Sequence, residues 1–208
     1  LLFSLSSCYG TFEHLQLVLT WPTSFCHKER CIRSSSNFTI HGLWPDNTST
    51  RLNFCKIVKY NKIEDEHKID ALEYGWPNLT TTEAVSKEDQ VFWGKQYTKH
   101  GSCCTDLYDK DAYFDLAMNL KDRFDLLKIL AMHGITPGTS HHTSSNIQNA
   151  VKSVTQGVPH VTCFNNRFKG TSELLEIALC FDPQAQNVIH CPRPKTCNSK
   201  GTKGITFP

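Results

Sequence analysis

No stretch of this 208-residue chain approaches the ~18 consecutive apolar residues that a membrane-spanning helix needs. A helical membrane protein is therefore excluded. Neither a C-x-x-C pair nor an H-E-x-x-H motif occurs, so the 10 cysteines and 10 histidines form no recognised zinc pattern. A strong charge of one sign is missing too: 22 Lys and Arg face 20 Asp and Glu, the formal net charge is +2 and the pI is near 8.1. That balance mildly favours a polyanionic ligand, but it lacks the basic field of a protein that clings to duplex DNA. Linkers, repeats and low-complexity tracts are also absent. Hydrophobic content is ordinary at 39%. Length and composition predict one domain, residues 11–208, long enough to bury a real core.

The chain opens without an initiator Met or a basic start. Leu1–Gly10 reads as the tail of a secretory signal peptide, with apolar Leu1-Leu2-Phe3-Ser4-Leu5. Cys8 and Gly10 would take the −3 and −1 positions before a cut ahead of Thr11. Ten cysteines less Cys8 leaves nine. With the signal remnant, this reads as a disulfide framework in an oxidising compartment with one thiol left over. Proximity pairs Cys26 with Cys31. The sequons at Asn37, Asn47 and Asn78 agree with secretion.

Strands are predicted over His14–Trp21, where Leu15, Leu17 and Leu19 alternate, and over Phe38–Trp44, ended by Pro45-Asp46-Asn47. Asn47–Gly75 is polar and charged and reads as exposed loop or short helix. A helix capped by Ser86 should run to about His100, with Gly101 as its stop signal. Asp109–Met132 carries Tyr113, Leu116, Ala117, Leu120, Phe124, Leu127 and Leu130 at helical spacing, closed by Gly134. Asn146–Thr155 is a third helix. Val158–Phe164, Leu174–Asp182 and Asn187–Cys191 are strands. Strands at both ends with helices between them predict an α+β fold: a central antiparallel sheet with helices packed on it, stabilised by disulfides.

Two blocks carry the chemistry. Phe38-Thr39-Ile40-His41-Gly42-Leu43-Trp44-Pro45-Asp46 places one histidine in an apolar, aromatic-rich element. Phe92-Trp93-Gly94-Lys95-Gln96-Tyr97-Thr98-Lys99-His100-Gly101-Ser102-Cys103-Cys104 places another. Two histidines brought together by folding make an acid/base pair suited to neutral pH. Phe92, Gln96, Lys99, His100 and Cys103 share one helix face, so an imidazole, an amide and a lysine are presented together. The other histidines take plainer readings: His133 at a helix C-terminus, His141-His142 in a Ser/Thr-rich loop. Trp21, Trp76 and Trp93 read as core.

In this order and with these neighbours, the two blocks resemble the active-site segments of the RNase T(2) family of secreted ribonucleases. The opening Thr11-Phe12-Glu13-His14-Leu15-Gln16-Leu17-Val18-Leu19-Thr20-Trp21-Pro22, the paired Cys103-Cys104 and the tail Cys191-Pro192-Arg193-Pro194-Lys195-Thr196-Cys197 resemble the nightshade-type S-RNases within it. RNA carries its own nucleophile, the 2′-hydroxyl. Such an enzyme needs a base, an acid and cationic or donor groups around the phosphorane, but no metal and no cofactor.

The resemblance implies His100 as general base, His41 as general acid and Lys99 as the cation that stabilises the pentacoordinate intermediate. Lys99 also admits a reading as a solvated helix lysine. Many members have histidine in place of Lys95 and glutamate in place of Gln96. Glutamine can donate a hydrogen bond but cannot exchange a proton, so slower turnover is expected, not a dead enzyme. Lys95 reads as a surface or phosphate-attracting lysine. Trp44 and Asp46 match the pocket for the base 5′ to the cut, although turn packing would explain them equally. Gln16 and Phe92 match positions that contact the second base. The resemblance further pairs Cys55–Cys103, Cys163–Cys197 and Cys180–Cys191, which leaves Cys104 free. It implies a secreted monomer acting on single-stranded RNA in the style. There it would reject pollen, with an F-box protein of pollen as the partner of an exposed segment at about 50–78. A secreted defence or phosphate-scavenging ribonuclease of the same family is the alternative, and a non-enzymatic storage or binding protein on the same scaffold is a third reading.

Overall fold

Alternate leucines drive the first strand into the core. In the computed structural model, which describes residues 12–195, 197 and 204–208, Leu15, Leu17 and Leu19 form the buried face of β1 (His14–Thr20). The segment Leu1–Gly10, expected to be a signal remnant, lies outside the described residues. After β1 come α1 (Pro22–Lys28), β2 (Thr39–Asp46), α2 (Glu66–Gly75), α3 (Glu83–Asp89) and α4 (Val91–Lys99), then a short 3-10 turn at Gly101–Cys103. The chain continues through α5 (Lys110–Arg123), α6 (Leu126–Ala131), β3 (Thr139–His142), α7 (Ser144–Thr155), β4 (His160–Asn166), β5 (Thr171–Phe181), β6 (Val188–Ile189) and β7 (Ile205–Phe207).

These strands make one sheet in the order β2-β1-β5-β7-β3, with β4 and β6 also paired to β5. Every pair is antiparallel except β5–β7, which is parallel. Helices pack on the sheet, and the fold is α+β. Trp76, Trp93, Tyr113, Phe114 and Phe181 fill the interior between them. Trp21, Trp76 and Trp93 are all core residues, as expected.

Several boundaries differ from the sequence expectation, each for a physical reason. β2 runs through Pro45 to Asp46, because it lies at the edge of the sheet and proline's missing N–H leaves no ladder bond unmade there. The helix expected from Ser86 to His100 is two helices. Thr82, not Ser86, caps α3, and Ser86 is buried inside it, donating to Glu73 Oε2 at 2.8 Å. Gln90 breaks the run in a left-handed conformation (φ 52°). Its buried amide accepts from Tyr60 and the Ile63 N–H and donates to the Ile63 carbonyl, and these tertiary bonds hold the break.

The helix expected over Asp109–Met132 is also two. Phe124 is extended, and Asp125 caps α6 by accepting from Lys128 N at 3.0 Å. Within the polar stretch Asn47–Gly75, Asp65 caps α2. His141 and His142 lie in β3, paired with β7, and not in a loop. The tail after Cys191 gives β7 no long apolar run to announce it, and neither β3 nor the short α1 was expected from the sequence.

All four expected disulfides are present, Cys26–Cys31, Cys55–Cys103, Cys163–Cys197 and Cys180–Cys191. Cys104 is a buried free thiol.

Candidate active site

The register between β1 and β2 decides where His41 points. Val18 pairs with Gly42 and Leu19 with Ile40, so His41 is the extra residue of a β-bulge. A bulge re-aims a side chain without ending the strand. Ile40 and Leu43 both remain in the core although they are three residues apart. His41 is turned to the face that carries Thr20 and Glu176, which pair across β1 and β5. Its Nδ1 meets Glu176 Oε1 at 2.7 Å. The buried Trp76 indole donates to the His41 carbonyl at 3.0 Å and fixes the bulged backbone. Burial raises the proton affinity of Glu176, but bonds from His41, Thr162 and Thr20 outweigh it and hold the carboxyl below its usual range.

His100 reaches the same place from α4, as the residue that ends the helix. It is only 7% exposed, yet it forms part of a cavity wall. Burial first, and the charges of Lys99 and His41 second, lower its pKa to about 3. The ring is therefore neutral at any ordinary pH, the form a base requires.

Trp44 stands between the two histidines. Its indole stacks on His100 with centroids 5.1 Å apart and meets His41 edge-on at 5.2 Å. Beneath it, Gly42 leaves the necessary room: a Cβ there would come within 2.2 Å of Trp44 Nε1 and 2.5 Å of Gln96 Oε1. Neither of those atoms, nor His100 Nδ1, has a hydrogen-bond partner among the described residues. Trp44 Nε1 and Gln96 Oε1 thus border the same space over Gly42 without a protein partner.

A cavity of about 450 Å³ opens over this group and is lined by His41, Trp44, Asp46, Gln96, Lys99, His100 and Gln16, among others. Gln16 donates to Asp46 Oδ2 at 3.1 Å, and Asp46 Oδ1 also accepts the N–H groups of Asn47 and Leu52. Asp46 is thereby both a turn-packing residue and a wall of the cavity. Phe92 is elsewhere. It lines a smaller cavity of about 80 Å³ with Thr20, Phe25, Asn78 and Leu79, and His41 borders both cavities. Gln16 and Phe92, expected to act on one base, do not share a pocket. Lys95 is exposed and forms no part of either cavity.

The chain as a whole has relatives among known proteins. The Ribonuclease T2 family matches residues 12–191. The chain belongs to the ribonuclease T2 family. It is 52% identical to Ribonuclease S-7 of Nicotiana alata over 210 residues, covering 100% of this chain and 94% of that one. It is 31% identical to Ribonuclease 1 of Arabidopsis thaliana, over 91% of this chain and 84% of that one. The crystal structure of the Nicotiana alata gametophytic self-incompatibility associated SF11-RNase superposes with a TM-score of 0.88 at 44% identity, covering 94% of this chain and 98% of that one. As a member of this ribonuclease family, the chain is an RNA endonuclease, and its resemblance is to the S-RNases.

Sequence reasoning missed Glu176, His14 and His160. Glu176 lies in an apolar strand, and only the fold reveals that it faces His41. His14 and His160 line the large cavity beyond Gln16. Burial lowers the pKa of both, to about 4 for His160. His160 also lies near Cys180 and Cys191, but those sulfurs are bonded to each other and offer a metal nothing.

Proposed function

We propose that this ribonuclease is a secreted enzyme that cleaves single-stranded RNA by transphosphorylation, in the service of self-incompatibility. The observation that carries the chemistry is the pair of imidazoles flanking one indole in a single cavity, one neutral and one held by a carboxylate. His100 takes the proton from the 2′-hydroxyl. The 2′ oxygen then attacks phosphorus, and the P–O5′ bond breaks as His41 delivers a proton to the leaving oxygen. The products are a 2′,3′-cyclic phosphate and a free 5′-hydroxyl. Glu176 accepts from Nδ1 of His41, which leaves Nε2 as the atom that exchanges the proton. Lys99 supplies the positive charge for the phosphorane oxygens. Trp44 and Asp46 serve the base 5′ to the cut, and the small Phe92 cavity, across His41, serves the base 3′ to it.

Cleavage of a dinucleoside phosphate, with the products identified, tests this directly. A 2′,3′-cyclic product is expected; a 5′-phosphate with a 3′-hydroxyl would overturn the mechanism. Gln96 provides a second check. Its unpartnered Oε1 lies in the catalytic cavity, where glutamate could share the proton traffic. Gln96→Glu is expected to raise kcat/KM, by about a hundredfold if it adds general catalysis at the low end of the usual range. An unchanged kcat/KM would place residue 96 outside the reaction.

The self-incompatibility reading rests on the greater identity to the S-type relatives than to the Arabidopsis enzyme. Its recognition surface is the segment 50–78, which would meet a pollen F-box protein. Phe54, Ile57 and Tyr74 are exposed there, which suits a contact surface. Among the sequons, Asn37 is exposed and suits a glycan. Asn47 and Asn78 are half-buried, and the Asn78 side chain is bonded to Thr80. Expression confined to the style supports this reading; induction by phosphate starvation would favour a scavenging role.

A further inference from the structure

The large cavity does not end at the catalytic group. We propose that Arg51, Arg193 and Lys195 form a second phosphate subsite, which holds the phosphate on the 5′ side of the nucleotide whose base meets Trp44. The proposal rests on the catalytic reading above for the direction of the RNA strand.

All three cations line the same cavity as His41, Trp44 and His100. The only carboxylate among the lining residues is Asp46, already engaged by Gln16 and two backbone N–H groups. Every Asp and Glu of the chain lies among the described residues, and none forms an ion pair with Arg51, Arg193 or Lys195. A cluster of cations left without counter-charges in a concave site is suited to an anion.

The subsite is built, not merely charged. Arg193 and Lys195 sit on a short strap between Cys191 and Cys197, and each end is held by a disulfide to the sheet, at Cys180 and Cys163. Pro192 and Pro194 restrict the backbone on either side of Arg193. The Lys195 N–H donates to His160 Nδ1 at 2.8 Å, and its carbonyl accepts from Val161 N at 3.0 Å. With Nδ1 accepting, a neutral His160 carries its proton on Nε2. After burial, the charges of Lys195, His14 and Arg51 are what lower the pKa of His160, so these groups act on one place.

The strand register sets the direction. Gln16 pairs with Trp44 on one side and with Cys180 on the other. The Cys180–Cys191 bridge then carries the line to the strap. Two strand spacings, roughly 10 Å, separate Trp44 from Cys180, a distance on the scale of one nucleotide. The Phe92 cavity, assigned to the base after the cut, lies across His41, which leaves the strap to the 5′ side.

The test compares kcat/KM for one dinucleoside phosphate in three forms: bare, with an added 5′-phosphate and with an added 3′-phosphate. The 5′-phosphate is expected to raise kcat/KM about tenfold at low salt, with the gain shrinking as salt is added. In the double variant Arg193→Gln/Lys195→Gln that ratio should fall to near one, while Lys195→Arg should keep most of it. Each ratio is taken within one protein, so a general loss of folded enzyme cancels. No 5′-phosphate advantage in the wild type, an undiminished advantage in the double variant, or a gain from the 3′-phosphate alone would overturn the subsite and leave the ribonuclease reading standing. Failure to cleave even the bare substrate would overturn both.

Discussion

Replacing His100 by asparagine is expected to lower kcat/KM on RNA by roughly 10²–10⁴-fold, and His41→Asn by a similar factor. The two changes should not multiply in the double variant, because proton removal and proton delivery belong to one displacement. The pH profile adds a sign that an ordinary histidine pair would not show. His100 is held to about 3 by burial, with Lys99 and His41 contributing after it. Its basic form is thus fully present above about pH 4, and kcat/KM, which reports the free enzyme, should show no acid limb near 6.5 from this residue. A limb at 6.5 that disappears in His100→Asn would sink the assignment.

Such a weak base needs help at the moment of reaction. An RNA phosphodiester entering beside Lys99 and His41 brings a negative charge against theirs, and so restores proton affinity to His100 once substrate is bound. The larger part of the depression comes from burial and stays. Glu176 enters the same scheme as a positioning residue, since it touches His41 and not the substrate. Glu176→Gln keeps the shape and removes the charge. It should lower kcat by roughly 10–100-fold, the factor typical when a metal-binding histidine loses the carboxylate that orients it, with KM nearly unchanged. A rise in KM with kcat unchanged would instead show that Glu176 does not position the acid.

The contrast between Glu176 and His41 shows what could be read from the chain and what could not. His41 and His100 stand in aromatic blocks whose residue types and order are distinctive. The strand around Leu15 was accessible in the same way; Cys26–Cys31 followed from proximity, and the other three disulfides only from the resemblance to the family. Glu176 is one of two acids, with Glu173, in the otherwise mostly apolar strand Thr171–Phe181, and nothing local says that a bulge on another strand will turn a histidine toward it. The same limit explains the helix boundaries. Gln90 and Phe124 have no glycine or proline to mark a break. The first is held in place by Tyr60 and Ile63, some thirty residues away, and the second is followed by a cap whose aspartate reads equally well as a helix-surface residue. Gln16 and Phe92 line two different cavities that both border His41, a placement that only the fold fixes.

Removing the Cys55–Cys103 bridge with the double variant Cys55→Ala/Cys103→Ala is expected to destabilise the fold by ~4 kcal/mol, from the chain entropy of a closed loop of 48 residues. The same change at Cys26–Cys31, which spans 5 residues, should cost only ~2 kcal/mol. Denaturant unfolding of both variants gives the comparison. The longer bridge is also the one that touches the chemistry. It ends on the turn just after His100, and two bonds run alongside it: Phe54 N to the Lys99 carbonyl at 2.7 Å and Cys55 N to Ser102 Oγ at 3.1 Å. Without the disulfide, these must hold the loop against the end of α4 unaided. Lys99 and His100 should then lose their fixed placement, so kcat should fall even under conditions where the variant is fully folded. Cys104 will not replace the lost partner. Burial pushes its thiol up to about 12, so almost no thiolate exists at neutral pH to attack or pair. Equal unfolding midpoints for the two disulfide variants, or an unaltered kcat in the folded Cys55–Cys103 variant, would show that the exposed loop and the catalytic helix end are held together by something other than this bond.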